Sequence, residues 1–234
     1  MIETIAETRS TNSDLLNRLS AGEHLEEGYW LVADRQTAGR GRQGRSWLDA
    51  DGNFMGSTVV LRHAADPPAQ NLSFLSGLAV LQASKRMMGH VFWPVLKWPN
   101  DVLVDGRKFV GILLEAQHNH IVVGIGVNLV AAPTLPDRVA AALGHASRDI
   151  FAQELAGCFA QELDYWRSYG SQHLFDRWLE WAHPVGSALS VHDGAGERIS
   201  GTFAGLAADG ALQLRMNDGT MQIIHAGDVN WEGQ

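Results

Sequence analysis

Apolar positions recur every three to four residues in some stretches of this chain and every second residue in others. Near the start, Ser10, Thr11, Asn12, Ser13 and Asp14 precede Leu15, Leu16 and Leu19, and Gly22 follows. This pattern is an N-cap cluster, a short amphipathic helix and a stop. Residues 29–33 and 54–61, rich in β-branched and aromatic side chains, predict two strands. From Leu72 to Met88 the spacing is helical (Leu75, Leu78, Ala79), with Gly89 as the stop. Residues 91–98, 102–104, 109–115 and 121–127 then predict four strands, with Asp105-Gly106 the clearest turn between them.

After Pro133 the pattern turns helical. Phe151, Leu155, Phe159, Leu163 and Trp166 describe one buried face, and Leu174, Trp178 and Trp181 a second, shorter helix. From Pro184 onward short β-like pieces alternate with Gly194, Gly196, Gly210 and Gly219, which predicts a small β-barrel. The expected division falls at His183–Pro184, giving one unit over 1–183 and a second over 184–234. A length of 234 residues suits one substantial domain and a small one.

The single cysteine, Cys158, excludes an internal disulfide framework and any multi-cysteine metal site, and its place on an apolar helix face makes it core. No apolar run reaches the ~18 residues of a membrane span, and the first residues lack a signal-peptide pattern. The expectation is a soluble cytoplasmic protein. Eighteen basic against 26 acidic residues give a net charge of −8, which argues against general nucleic-acid binding. Between Asp34 and Asp49, however, there is no acidic residue, while Arg35, Arg40, Arg42 and Arg45 all fall there. That island suits a small anionic ligand; a solvated basic loop is the plainer alternative. The ten histidines show no zinc-like spacing, and no Gly-x-Ser-x-Gly elbow is present.

The same island carries Gly39, Gly41 and Gly44 at the spacing of a dinucleotide fingerprint. The context fails: turn chemistry follows instead of a helix, and Val59 and Val60 stand where an acidic residue is needed. What remains is a loop alternating glycine, which permits close approach, with arginine, whose fixed fork suits phosphate or carboxylate oxygens. Trp47, just beyond, has a face for a base. Disordered linkers and nucleic-acid contacts also alternate these residues, usually in longer tracts.

Lys97-Trp98-Pro99-Asn100-Asp101 joins two predicted strands and reads equally as a simple turn. Only three lysines stand among the eighteen basic residues, and two of them, Lys97 and Lys108, flank this region. A lysine kept where arginine is the default cation hints at a compact charge beside an anion. Gly111 interrupts one strand, and Gly124 and Gly126 share a face of another. They bare a surface either for a flat ligand or for close helix packing.

Five segments, in this order and spacing, resemble bacterial biotin protein ligases (biotin–[acetyl-CoA-carboxylase] ligases). They are Ser10-Thr11-Asn12, residues 36–47 (Gln-Thr-Ala-Gly-Arg-Gly-Arg-Gln-Gly-Arg-Ser-Trp), residues 97–101, residues 108–113 (Lys-Phe-Val-Gly-Ile-Leu) and residues 124–128 (Gly-Ile-Gly-Val-Asn). The resemblance implies an α+β fold: a mixed sheet flanked by helices, like class II aminoacyl-tRNA synthetases, followed by an SH3-like barrel. It implies that biotin and MgATP give biotinyl-5′-AMP and pyrophosphate, and that the biotinyl group then passes to a lysine of the biotin carboxyl carrier protein of acetyl-CoA carboxylase.

The resemblance also assigns residues. Ser10, Thr11, Asn12, Gln36, Gly39, Arg40, Lys108, Gly111, Gly124 and Gly126 are expected around biotin. Arg40, Arg42, Arg45, Trp47, Lys97, Asn100, Lys108 and Asn128 are expected around ATP and the adenylate. Lys108, Arg40 and Asp101 are expected to be catalytic, with Asp101 as either a base or a magnesium ligand. Two departures, Val110 before Gly111 and Met55 after Phe54, bear on the pocket wall, their effect on it being left open. Some relatives carry an N-terminal DNA-binding domain; only nine residues precede Ser10, so no operator binding and no repressor role are expected. Some pair as homodimers, an option left open. The competing readings are a lipoate or octanoate ligase or transferase on the same fold, and a non-catalytic module binding biotin or a carrier.

Overall fold

The computed structural model describes residues 1–48, 50–89, 93–133, 140–144, 146–192 and 198–231. Its larger sheet has seven strands: β1 (Ile2–Thr8), β2 (Trp30–Gln36), β3 (Phe54–Leu61), β4 (Val95–Lys97), β5 (Asp101–Val104), β6 (Arg107–Gln117) and β7 (His120–Val127). They are ordered β1-β2-β3-β7-β6-β5-β4. β1 and β2 run parallel and every other neighbouring pair antiparallel, so the sheet is mixed as expected. β1 has no counterpart in the sequence reading. It is an edge strand with no fully buried position, so its apolar alternation is faint.

Three helices flank this sheet: α1 (Thr11–Ser20), α2 (Leu72–Met88) and α3 (Arg148–Leu179). The two helices predicted after Pro133 form α3, whose course breaks at Gly170, where φ is 79° and ψ −175°. Trp181 falls beyond it. The main core lies between α2, α3 and one sheet face; it includes Phe54, Val123, Ile125 and Val127 from the strands and Leu78, Phe159 and Trp166 from the helices. On the opposite face Leu15 and Leu19 of α1 close over Leu31, Val59 and Val122. Strand alternation explains the division, because odd positions of β7 enter one core and Val122, Gly124 and Gly126 face the other way. Past Val122 the α1 face therefore changes from aliphatic side chains to glycine.

A second sheet contains β8 (Ala188–His192), β9 (Arg198–Leu206), β10 (Leu212–Arg215), β11 (Met221–Ile224) and β12 (Asp228–Trp231), ordered β11-β10-β9-β8-β12 and wholly antiparallel. Among the described residues β11 and β12 do not pair with each other, so the expected small barrel takes the form of an open sheet. Leu189, Val191, Phe203 and Leu212 extend the main core into it, and Trp98 donates its indole N–H to the Gly210 carbonyl at 3.0 Å. The start of the strand predicted from Val91, and Gly194 and Gly196, lie outside the described residues. No described helix is long and apolar enough to cross a membrane.

Candidate active site

A cleft opens on the α1 face where the side chains of β6 and β7 shrink. Gly111 and Gly126 are paired in register, and neither is covered by a packed helix. The indole of Trp47 lies across them: a Cβ on Gly111 would come within 2.7 Å of its Cζ3, and one on Gly126 would collide with the ring. Over Gly124 lies the side-chain amide of Asn12. The glycines thus bare the sheet for one aromatic ring and one amide of the chain itself.

The arginine-rich segment is a compact hairpin. Trp47 donates its backbone N–H to Gly39 at 2.9 Å, and Gly41 donates to Arg45 at 2.7 Å. Gly39 permits the close approach, since a Cβ there would stand 2.6 Å from the Trp47 carbonyl oxygen. The segment's 3₁₀ turn, Arg42–Gly44, ends on the last of the glycines, and among the described residues no α-helix opens on them. Each arginine is tied down. Arg40 pairs with Glu115 at 2.7 Å, Arg42 donates to Asn100 at 3.0 Å, and Arg45 pairs with Asp228 at 2.9 Å. Burial pushes the Arg42 guanidinium below its usual value, while Asp228 and Asp101 favour its charge. A cation partly stripped of water and short of full compensation is primed for an arriving anion.

Opposite the hairpin, Lys108 and Asp101 are an ion pair at 2.6 Å, 22% and 19% exposed. A β-bulge between Val102 and Leu103 shifts the register so that both side chains meet in the cleft. The floor is polar and interlinked. Thr11 donates its backbone N–H to Gln36 Oε1 at 2.8 Å, and its hydroxyl lies 2.7 Å from Ser57 Oγ. Ser57 donates to Asn12 Oδ1 at 2.6 Å. Ser10 occupies the N-cap position of α1 but makes no capping hydrogen bond with its side chain; it lines the cleft instead. Asn128, 1% exposed, is held beside the cleft by its backbone bond to Phe109 and by Asn53.

Of the residues expected around biotin, around the nucleotide or at the reacting atoms, all but two line this one cleft. Gly39 sits at the base of the hairpin, and Lys97 on β4, in register with Asp101, is not part of the wall. The charge of Lys97 bears on Asp228 and His183. Met55 pairs in register with Gly126 of the wall, whereas Val110 points into the main core on the other face of the sheet. Both are buried, and neither lines the cleft. Three polar side chains of the site escaped the sequence reading: Ser57, Asp228 and, by its bonds to Asn12 and Arg40, Glu115. A serine within an apolar strand and a carboxylate two and four residues from Leu113 and Gly111 were local signals for Ser57 and Glu115. Asp228 had none, because it meets the hairpin only through the fold. Among the described residues no three histidine, cysteine or carboxylate side chains converge as a metal set; a magnesium ion entering here would come on nucleotide phosphates.

Residues 5–128 match the biotin/lipoate A/B protein ligase family, and residues 191–230 match the biotin protein ligase C-terminal domain. The chain belongs to this ligase family. It is 36% identical over 244 residues to the biotin–[acetyl-CoA-carboxylase] ligase of Paracoccus denitrificans, covering 98% of this chain and 100% of that one. It is 34% identical over 239 residues to the enzyme of the same name from Mycobacterium tuberculosis, covering 97% and 88%. Among solved structures, the biotin protein ligase from Aquifex aeolicus in complex with biotin and ATP superposes with a TM-score of 0.83 at 25% identity, over 99% and 98% of the two chains.

Proposed function

We propose that this chain is a biotin–[acetyl-CoA-carboxylase] ligase. It joins biotin to ATP, giving biotinyl-5′-AMP and pyrophosphate, then moves the biotinyl group to a lysine of a biotin carboxyl carrier protein. The observation that carries this reading is the Lys108–Asp101 pair, set between a polar glycine-backed floor and a cationic hairpin. The match of the second sheet to a biotin ligase domain, and the names of the two relatives above, favour biotin over lipoate.

In the first step a carboxylate oxygen of biotin bonds to the α-phosphorus of ATP, and the bond from that phosphorus to pyrophosphate breaks. Two anions must meet, and charge grows on the equatorial oxygens. Lys108 answers this by leaving Asp101 to bridge the carboxylate and the α-phosphate. Arg40, Arg42 and Arg45, held by their protein partners, turn their remaining N–H groups to phosphate oxygens, and the hairpin keeps water from the mixed anhydride. Asn100 and Asn128 orient the nucleotide, with Trp47 offering its indole edge or face beside the adenine. Ser10, Thr11, Asn12 and Gln36 read the ureido ring by short polar contacts in a shaped pocket.

In the second step the carrier's neutral lysine amine attacks the acyl carbon. A C–N bond forms, the C–O bond to AMP breaks, and the amine sheds a proton. Asp101, a cleft carboxylate released from Lys108, accepts it in this reading. The catalytic unit in this reading spans 1–183 and the smaller unit 184–234, with the division between the end of α3 and the start of β8. Biotin-dependent exchange of pyrophosphate into ATP tests the first step. Exchange supported by lipoate or octanoate in place of biotin would move the assignment to the other branch of the family.

A further inference from the structure

We propose that Glu115 is a positioning residue for ligation, an inference that rests on the biotin-ligase reading above. Glu115 reaches the cleft through strand alternation, sharing a face of β6 with Gly111 and Leu113 and standing in register with Val122. One of its oxygens, Oε2, accepts two hydrogen bonds: from Asn12 Nδ2 at 2.9 Å and from Arg40 Nη2 at 2.7 Å. A single carboxylate oxygen therefore joins the first turn of α1 to the base of the cationic hairpin.

A carboxylate only accepts. Asn12 must turn its amide nitrogen toward Glu115 and its carbonyl oxygen toward Ser57, which donates to it at 2.6 Å. With its one proton placed there, Ser57 accepts from the Thr11 hydroxyl at 2.7 Å, a shorter contact than the 3.2 Å from that hydroxyl to Gln36 Oε1. Thr11 and Asn12 are 3% exposed and Ser57 is fully buried, so a misdirected partner leaves a nearly buried polar atom unpaired, at a cost. The charge at Glu115 thus sets the direction of every hydrogen bond from Asn12 to Thr11. It leaves a lone pair of the Thr11 hydroxyl for an N–H of the ureido ring. The same oxygen restrains Arg40, so the floor that reads the ring and the hairpin over the reacting atoms share an anchor.

The test is biotin binding to the full chain by titration calorimetry, with three variants. Glu115→Gln offers an amide that no longer dictates which end of Asn12 faces it, and biotin affinity falls about tenfold. Asn12→Asp sets two carboxylates face to face, and affinity falls further, by about a hundredfold. In the double variant the introduced amide on β6 donates to the introduced carboxylate on α1, which still accepts from Ser57. Affinity then recovers at least ~10-fold over Asn12→Asp alone. That recovery is not the behaviour of two residues that merely support the fold, and the double variant also serves if Glu115→Gln alone does not fold. An unchanged affinity in Glu115→Gln, or no recovery in the double variant, overturns the inference. A parent chain that binds no biotin overturns the ligase reading and this inference together, whereas a parent that binds biotin isolates the failure to Glu115.

Discussion

The ammonium of Lys108 lies 2.6 Å from the carboxylate of Asp101 on the neighbouring strand. The pair is not a structural tie of great strength. Each side chain keeps about a fifth of its surface, and partly exposed pairs contribute on the order of 1 kcal/mol or less. Its consequence is chemical: the cation that must meet two substrate anions waits beside a group it can release.

Lys108→Ala should therefore leave the fold intact and remove adenylation. Losing one charge-stabilising donor at a reacting centre costs about 10²–10³ in rate, and biotin-dependent pyrophosphate exchange should fall by at least that much. The melting temperature should move by only a few degrees. Exchange at the parent rate would contradict the role given to Lys108.

Arg42→Gly should let the adenylate escape. Arg42 is partly buried and donates to Asn100 at 3.0 Å, so its loss opens the hairpin on the side of the reacting atoms. The readout is biotin attached to lysines of a bystander protein, which should rise several-fold while adenylate formation persists. Leakage equal to the parent's would count against the sealing role.

Gly126→Ala should displace Trp47, because a Cβ at 126 meets the indole directly. The KM for ATP is predicted to rise about tenfold, with a smaller change for biotin. Adding Trp47→Ala to Gly126→Ala should produce no further rise, as both remove one contact. Fully additive effects would show that the ring and the glycine act separately.

Asp228 reaches the hairpin from β12 and links the second sheet to the cleft. Burial opposes its ionisation, but the hydrogen bond and charge of Arg45, helped by Arg42 and Lys97, outweigh burial and hold the carboxyl below its usual range. A depressed carboxyl keeps its tether above the ordinary carboxylate pKa of ~3.9 and loses it only as pH falls through the lowered value. Asp228→Asn should raise the KM for ATP about three- to tenfold by a ratio that stays constant from pH 6 to 8. A ratio that drifts across this window, or no change in KM, would contradict the tether.

His183 stacks on Trp231 with 3.6 Å between ring centroids. Burial, with Lys97 nearby, pushes its imidazole pKa down to about 4. The folded chain then resists a proton that the unfolded chain binds near pH 6.5, so stability is lost as pH falls from about 6.5 toward 4. The contribution is on the order of 2 kcal/mol. Melting curves of His183→Gln should show a shallower loss between pH 6.5 and 4 than those of the parent; parallel curves would place the imidazole's proton elsewhere.

Much of this molecule could be read from the chain. Leu72–Met88 and Phe54–Leu61 appear with the predicted bounds, because long periodic runs bury one face wherever they pack. β1 and β12 could not be read, being short or polar strands whose pairing is decided by neighbours distant in sequence. The cleft shows the same division. The lysine, the arginines and the glycines announce themselves by type and spacing. The partners that hold Arg40 and Arg45 do so less: Glu115 shares a strand with Gly111 but nothing near it names Arg40, and Asp228 looks like an ordinary surface acid until β12 carries it to the hairpin. Val110 shows the converse, a departure from the family pattern that packing turns into the main core and away from the wall.

The most direct measurement is the intact mass of a biotin carboxyl carrier domain incubated with this protein, biotin and MgATP. One biotinyl group should be added per carrier, only when both small molecules are present, and none with Lys108→Ala. A carrier whose mass does not change, or one that gains a lipoyl or octanoyl group instead, would contradict the account.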